Sequence, residues 1–255
     1  MMLAYHEFSG DACSDVYAIS ATTFRQHALL VKRHCGTNEC ITFDDGHRSQ
    51  FEAAAPILDE LRIPAIFFIT TSWVETRKSA LTWDQLRELH RAGYSIGAHS
   101  HTHKLLTLCN DAELIAELVV SKQMLEDRLG AGIDCLSLPG GRRNRRVLEA
   151  CAQAGYNRVY TSRVGEYSKP CDGLSEIIGR FVVTHSTSER TLAAYLMRRQ
   201  SMIAQLQMKA AVRELIKRAV GDSFYQWAWR RAFRAESIGA DASLFQGSDQ
   251  RGGIS

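Results

Sequence analysis

No run in this 255-residue sequence approaches the roughly 18 uninterrupted apolar residues of a membrane span. Its start, MMLAYHEFSGD, offers neither a basic stretch nor a long apolar one, so no secretory signal is read there and a cytoplasmic location is expected. There is no C-x-x-C pair. The seven cysteines (Cys13, Cys35, Cys40, Cys109, Cys135, Cys151, Cys171) are odd in number and scattered, which argues for free thiols in a reducing compartment. Cys35 and Cys40 could pair with histidines on a metal, a reading that ranks low here. Internal repeats and low-complexity tracts are missing too. Gly140-Gly141 is not followed by Lys-Ser/Thr, which excludes a P-loop. Excess charge is also lacking: the net +3 is small and no nucleic-acid motif accompanies it, so no nucleic-acid partner is expected.

The composition is that of a globular protein, 45% hydrophobic and 23% charged. A single domain of this size can bury roughly 70–75% of its unfolded surface. Apolar, β-branched segments fall near Leu3 to Phe8, Cys40 to Phe43, Ala65 to Thr70, Ser95 to Ala98, Asp134 to Leu138, Arg158 to Thr161 and Ile177 to Val183. Amphipathic segments lie between them: Thr22 to Arg33, Ser49 to Leu61, Thr82 to Ala92, Asp111 to Leu129 and Asn144 to Ala154. Asn110 with Glu113 forms a capping-box variant, and Gly93 and Gly155 follow helix ends. Seven strands alternating with helices predict an α/β fold with a parallel sheet, closed or nearly closed into a barrel.

Past Ser188 the pattern becomes helical, with a second helix from Ser223 to Arg234. Between Arg198 and Arg234 nine basic residues stand against two acidic ones, a local +7. The expected organisation is a barrel over 1–187, a basic helical extension over 188–235 and a disordered tail over 236–255. Met208, Val212, Leu215 and Ala219 share one helical stripe suited to packing on the barrel or on a protein partner. Trp227 and Trp229 beside Arg230 and Arg231 suit, as the second choice, a peripheral contact with an anionic membrane.

In a parallel barrel, catalytic groups collect at the C-terminal strand ends. Those ends hold Tyr5-His6-Glu7, Asp44-Asp45-Gly46, His99-Ser100-His101-Thr102-His103, Pro139-Gly140-Gly141 and Thr184-His185. Two adjacent carboxylates shielded from water repel one another, and one pKa rises unless a cation intervenes. Two imidazoles of HSHTH and one carboxylate of FDDG make a donor set with open positions, the pattern of a catalytic zinc site.

TFDDG followed by HSHTH resembles the NodB-homology polysaccharide deacetylases, carbohydrate esterase family 4, with motifs T-F-D-D-G and H-[ST]-x-x-H. LPGG (Leu138 to Gly141) and the opening AYHEF are similar to further elements of that family, and the resemblance runs from about Leu3 to Val183. It implies a distorted (β/α)7-type barrel, a divalent metal, usually zinc, on Asp45, His99 and His103, and Asp44 as general base. It also implies an N-acetylated carbohydrate substrate, acetate as a product and an oxyanion contact from the Gly140 backbone N–H. His101 falls on a variable motif position, where it can only support the ligands.

The match departs in two places. Ser137 stands where the family carries an arginine that steadies the base, and no late L-x-x-H motif supplies an acid. His185 and His6 are the candidate acids. Trp73 and Trp83 are placed to stack on sugar or to pack a loop. Arg142, Arg143, Arg145 and Arg146 form a basic helix start, and Arg180 suits a buried ion pair. The departures leave two other readings open: a C–N hydrolase acting on another small amide, and a non-catalytic carbohydrate-binding relative.

Overall fold

A computed structural model of the chain describes residues 1–10, 15–36, 40–165, 167–168, 173–174 and 176–220. The strands are β1 (Met2–Tyr5), β2 (Glu7–Phe8), β3 (Ala18–Ile19), β4 (Ile41–Phe43), β5 (Ala65–Ile69), β6 (Ser95–Ala98), β7 (Cys135–Ser137), β8 (Arg158–Thr161), β9 (Tyr167–Ser168) and β10 (Glu176–Val182). The helices are α1 (Ala21–Cys35), α2 (Ala55–Leu61), α3 (Trp83–Arg91), α4 (Asp111–Leu129), α5 (Arg145–Gln153), α6 (Glu189–Leu196) and α7 (Gln200–Val220).

Strand order is β1-β4-β5-β6-β7-β8-β10, all parallel, and β1 closes the ring by pairing with β10. The seven-stranded barrel expected from the alternation is therefore present. β9 adds an antiparallel edge to β10.

Strand period sorts the core into two parts. Met2, Ile66, Phe68, Cys135 and Tyr160 cluster inside the barrel, while their chain neighbours Leu3, Phe67, Leu136 and Val159 pack beneath the helices. Phe43 stacks on Phe67 at 4.7 Å, and Phe67 meets Tyr94 edge-on at 5.4 Å. Inside the barrel there is no spare volume at Gly97, where an added Cβ would lie 2.6 Å from the Phe68 ring and 2.8 Å from Cys135 Sγ. Gly97→Ala is therefore expected to cost about 1–3 kcal/mol in a urea unfolding measurement.

Helix ends follow their caps. Thr82 with Gln85, and Asn110 with Glu113, form complete capping boxes, and α4 stops at Gly130 in the left-handed conformation. The segment expected as one helix over Ser49 to Leu61 instead opens with a π turn, Gln50–Ala54. Pro56 has no N–H to give, and the Ala55 N–H bonds five residues back to the Gln50 carbonyl. The buried Gln50 side chain donates to the carbonyls of His6 and Asp44, both at 2.6 Å, fixing the β1 and β4 ends to each other.

The first expected strand, Leu3 to Phe8, breaks at His6. Glu7–Phe8 leaves the barrel to pair with Ala18–Ile19, and the Phe8 N–H bonds to Ser49 Oγ. Contacts divide the chain into one compact unit, Met1–Met208, and a second from Lys209. The first takes in α6, beyond the boundary drawn at 187, because Leu192, Tyr195 and Leu196 belong to the core. Of the second unit the described residues end at Val220, so the Ser223 to Arg234 helix, Trp227, Trp229 and the 236–255 tail lie outside the described residues. Of the apolar stripe on α7, Met208 and Val212 are exposed. No described helix is long and apolar enough to cross a membrane.

Candidate active site

The C-terminal ends of β1, β4, β6 and β7, with Arg180 from within β10, converge on Asp44. This carboxylate is buried, 4% exposed, and takes a two-pronged ion pair from Arg180, with Nη1 to Oδ1 at 2.7 Å and Nη2 to Oδ2 at 2.8 Å. Arg180 is fully buried on β10. It also donates to Thr42 Oγ1 at 2.9 Å, Ser137 Oγ at 2.7 Å and the Thr161 carbonyl at 3.4 Å, and its guanidinium lies over Phe68. The buried ion pair expected of Arg180 exists, and its partner is the expected base. Ser137, noted as the missing arginine, is a short side chain beside this guanidinium and one of its acceptors. Burial pushes the Asp44 carboxyl up, but Arg180 and then His99 outweigh it and hold the carboxyl at about 2. Asp44 is thus ionised throughout the neutral range.

Asp45 turns the other way. It sits at φ 75° beside Gly46, also at φ 75°, and the left-handed pair bends the chain so that adjacent carboxylates diverge. Asp45 Oδ1 lies 3.4 Å from His99 Nε2 and 3.1 Å from His103 Nε2. His99 Nδ1 donates to the Ser137 carbonyl at 2.8 Å, so the neutral ring presents a bare Nε2 lone pair to Asp45. Two acceptor atoms facing each other cannot hydrogen-bond, and Asp45 Oδ1 is a buried oxygen without a hydrogen-bond partner. One ligand atom from each of Asp45, His99 and His103 lies within 4.8 Å of the others. Ligands about 2.0–2.2 Å from one ion stand about 3.4 Å apart in a tetrahedral site, so these donors fit a divalent cation. Burial pushes His99 down, but Asp44 and Asp45 overcome it and leave the imidazole above its ordinary pKa, a sign that the cluster wants positive charge.

The loop carrying His103 is shaped from below by a residue the sequence reading did not single out. Glu117, buried on α4, accepts the His101 N–H at 2.9 Å and the Thr102 N–H at 2.7 Å, and also the Thr102 hydroxyl. These bonds hold a turn in which Ser100 and His103 take positive φ, 61° and 63°. Glu117→Ala is therefore expected to weaken binding of a divalent-metal probe about 10- to 100-fold, read by competition with a chelating dye, while leaving the barrel folded. Nothing in the pattern of α4 distinguishes this glutamate from the helix's solvated acids, and only its burial does.

The remaining candidates divide. His6 joins the site, with Nε2 4.0 Å from Asp44 Oδ2 and its ring 4.8 Å from Tyr17. Burial, against the pull of Asp45 and Asp44, keeps its pKa below 6.5. His185 does not join: its side chain is exposed and only its backbone N–H is engaged, on the Val16 carbonyl. His101 turns to Thr71 Oγ1 at 2.9 Å. Gly140 is exposed in the turn after β7 at φ 65°, and a side chain there would meet Leu105. Trp73 belongs to the rim, 5.0 Å from the His103 ring, whereas Trp83 is a core residue beneath Arg128. Arg145 and Arg146 pair with Glu149 and Asp111. Cys35 and Cys40 have no third ligand to make a metal cluster among the described residues.

A closed parallel barrel with this rim defines a NodB-like (β/α)7 fold. Among solved structures it is similar to the Streptococcus pyogenes deacetylase PplD in complex with acetate, with a TM-score of 0.65 and 23% identity, covering 77% of this chain and 96% of that one. The family profile described as polysaccharide deacetylase matches residues 36–159. The chain is 29% identical over 129 residues to YxkH of Bacillus subtilis, spanning 51% of this chain and 46% of that protein. It is 26% identical over 163 residues to chitin deacetylase 1 of Cryptococcus neoformans, spanning 61% and 34%. It thus covers less than half the length of either curated relative. Residues 36–159 of this chain are thus similar in sequence to the polysaccharide deacetylases, and the barrel around them is similar in fold.

Proposed function

We propose that this chain is a zinc-dependent deacetylase that removes N-acetyl groups from an N-acetylated sugar. The observation that carries the reading is the division of labour between adjacent carboxylates. Asp44 is held charged by Arg180, and Asp45 faces His99 and His103 with lone pairs only. The match of residues 36–159 to the polysaccharide deacetylase profile and the similarity to a chitin deacetylase support the substrate class.

Asp45, His99 and His103 would hold the ion, which supplies Lewis acidity and lowers the pKa of water when bound. Asp44 takes the proton of the attacking water, and Arg180 keeps it ionised to do so. The Gly140 backbone N–H donates to the oxygen that gains charge. His6 sits beside Asp44 and is neutral at pH 7. It can relay a proton from the Asp44 side to the departing amine. The products are acetate and a free amine.

The test is acetate and amine release from N-acetylated chitooligosaccharides by zinc-loaded protein. Equal yields of acetate and amine, abolished by a chelator and restored by zinc, are expected. Folded, zinc-loaded protein that releases neither from any N-acetylated sugar would contradict the reading.

A further inference from the structure

We infer that the pocket beside Asp45 selects an N-acetylated sugar that carries an acidic group, a carboxylate or a phosphate, and that Arg77 binds that group. The inference rests on the proposed deacetylation for its sugar and on the pocket for its charge.

The pocket is open to solvent, has a cavity volume of about 220 Å³ and is lined by His6, Tyr17, Asp45, Trp73, Arg77 and Ser79 among others. Its charged lining residues are otherwise engaged. Glu7 faces His47 at 3.9 Å, the Asp15 carboxylate accepts the Tyr17 N–H at 2.7 Å, and Asp45 faces the two histidines. Arg77 differs: its side chain is exposed and has no carboxylate partner among the described residues.

Its guanidinium lies over the Trp73 ring, 3.6 Å from the centroid. Stacking holds a guanidinium flat by its face and leaves the N–H edge to donate. That edge matches a carboxylate or a phosphate with two parallel hydrogen bonds. The same indole lies 5.0 Å from the ring of His103. Arg77 and His103 therefore both lie close to one indole, which would place the acidic group on the reacting sugar or on its immediate neighbour.

The test measures binding and turnover separately, on full-length, zinc-loaded protein. Binding is measured by calorimetry on Asp44→Asn protein, which keeps substrates intact. The probes are N-acetylglucosamine 1-phosphate and a disaccharide of N-acetylglucosamine with glucuronic acid, each against its uncharged counterpart. At least one acidic probe should bind about tenfold or more tightly than its counterpart, and the preference should shrink as salt rises. Arg77→Met, added to that protein, should remove most of the preference, and Arg77→Lys should restore part. Whichever acidic probe shows the effect identifies phosphate or carboxylate as the source.

Equal binding of charged and uncharged probes, or a preference that Arg77→Met leaves intact, overturns the inference. Acetate release from neutral sugars without any acidic preference would refute this inference alone. An Arg77-dependent preference without acetate release from any sugar would support the pocket assignment and refute deacetylation.

Discussion

Replacing Arg180 with methionine is expected to lower stability by about 3–5 kcal/mol and to move the acidic limb of the pH–rate profile upward. Methionine can still fill space against Phe68 and Tyr160, so the loss is mainly electrostatic. It leaves Asp44 buried with no counter-charge, and breaking a buried pair from one side costs about that much. In the intact protein burial alone would raise the Asp44 pKa, yet Arg180 holds it at about 2. A carboxyl whose folded pKa lies below its unfolded value near 3.9 adds stability above that unfolded pKa and loses it as pH falls through the folded one. For Asp44 the metal-free protein should therefore lose about 2–3 kcal/mol as the pH falls from about 5 to about 1. In Arg180→Met this loss should vanish, because the folded carboxyl no longer titrates below the unfolded one. Urea unfolding across pH, with pH profiles of kcat/KM, tests both parts. Unchanged stability together with an unmoved acidic limb would show that Arg180 does not control Asp44.

Asp44→Asn is expected to lower kcat/KM for acetate release about 10²- to 10⁴-fold, the usual contribution of a positioned base. Asparagine has nearly the same shape and can still accept one hydrogen bond from Arg180, whose contacts to Thr42 and Ser137 remain. Circular dichroism should therefore show a folded barrel. Zinc binding should survive as well, because Asp44 is not among the three converging donors. Loss of turnover with retained zinc would separate the base from the metal ligands. Equal loss of both would mean that the two adjacent aspartates do not divide the work as the geometry indicates.

The barrel was legible in the sequence because each strand and helix announces itself locally, by period, caps and turn glycines. The rim was legible for the same reason: TFDDG and HSHTH each lie at one strand end. What escaped was set by contacts between distant segments. Arg180 and Asp44 are 136 residues apart, and only closure of β1 on β10 brings them together. Glu117 reads as one acid among several on α4 until the fold buries it under the histidine loop. The two-residue strands β2 and β3 are too short to carry a period, so the break at His6 was invisible. His185 looked like a strand-end acid because the strand end itself was read correctly. Its exposure is decided by the Thr184–Thr187 turn, where side-chain hydroxyls bond one another and the Thr184 N–H.

The central claim is that Asp45, His99 and His103 form one metal centre. The direct measurement is zinc content per chain by elemental analysis after dialysis, for the unaltered protein and for Asp45→Ala, His99→Ala and His103→Ala. One zinc per chain in the first, and a large loss in each variant while circular dichroism still shows a folded barrel, is the predicted result. A folded protein that keeps no zinc, or that keeps it after all three ligands have been removed in turn, would contradict the account.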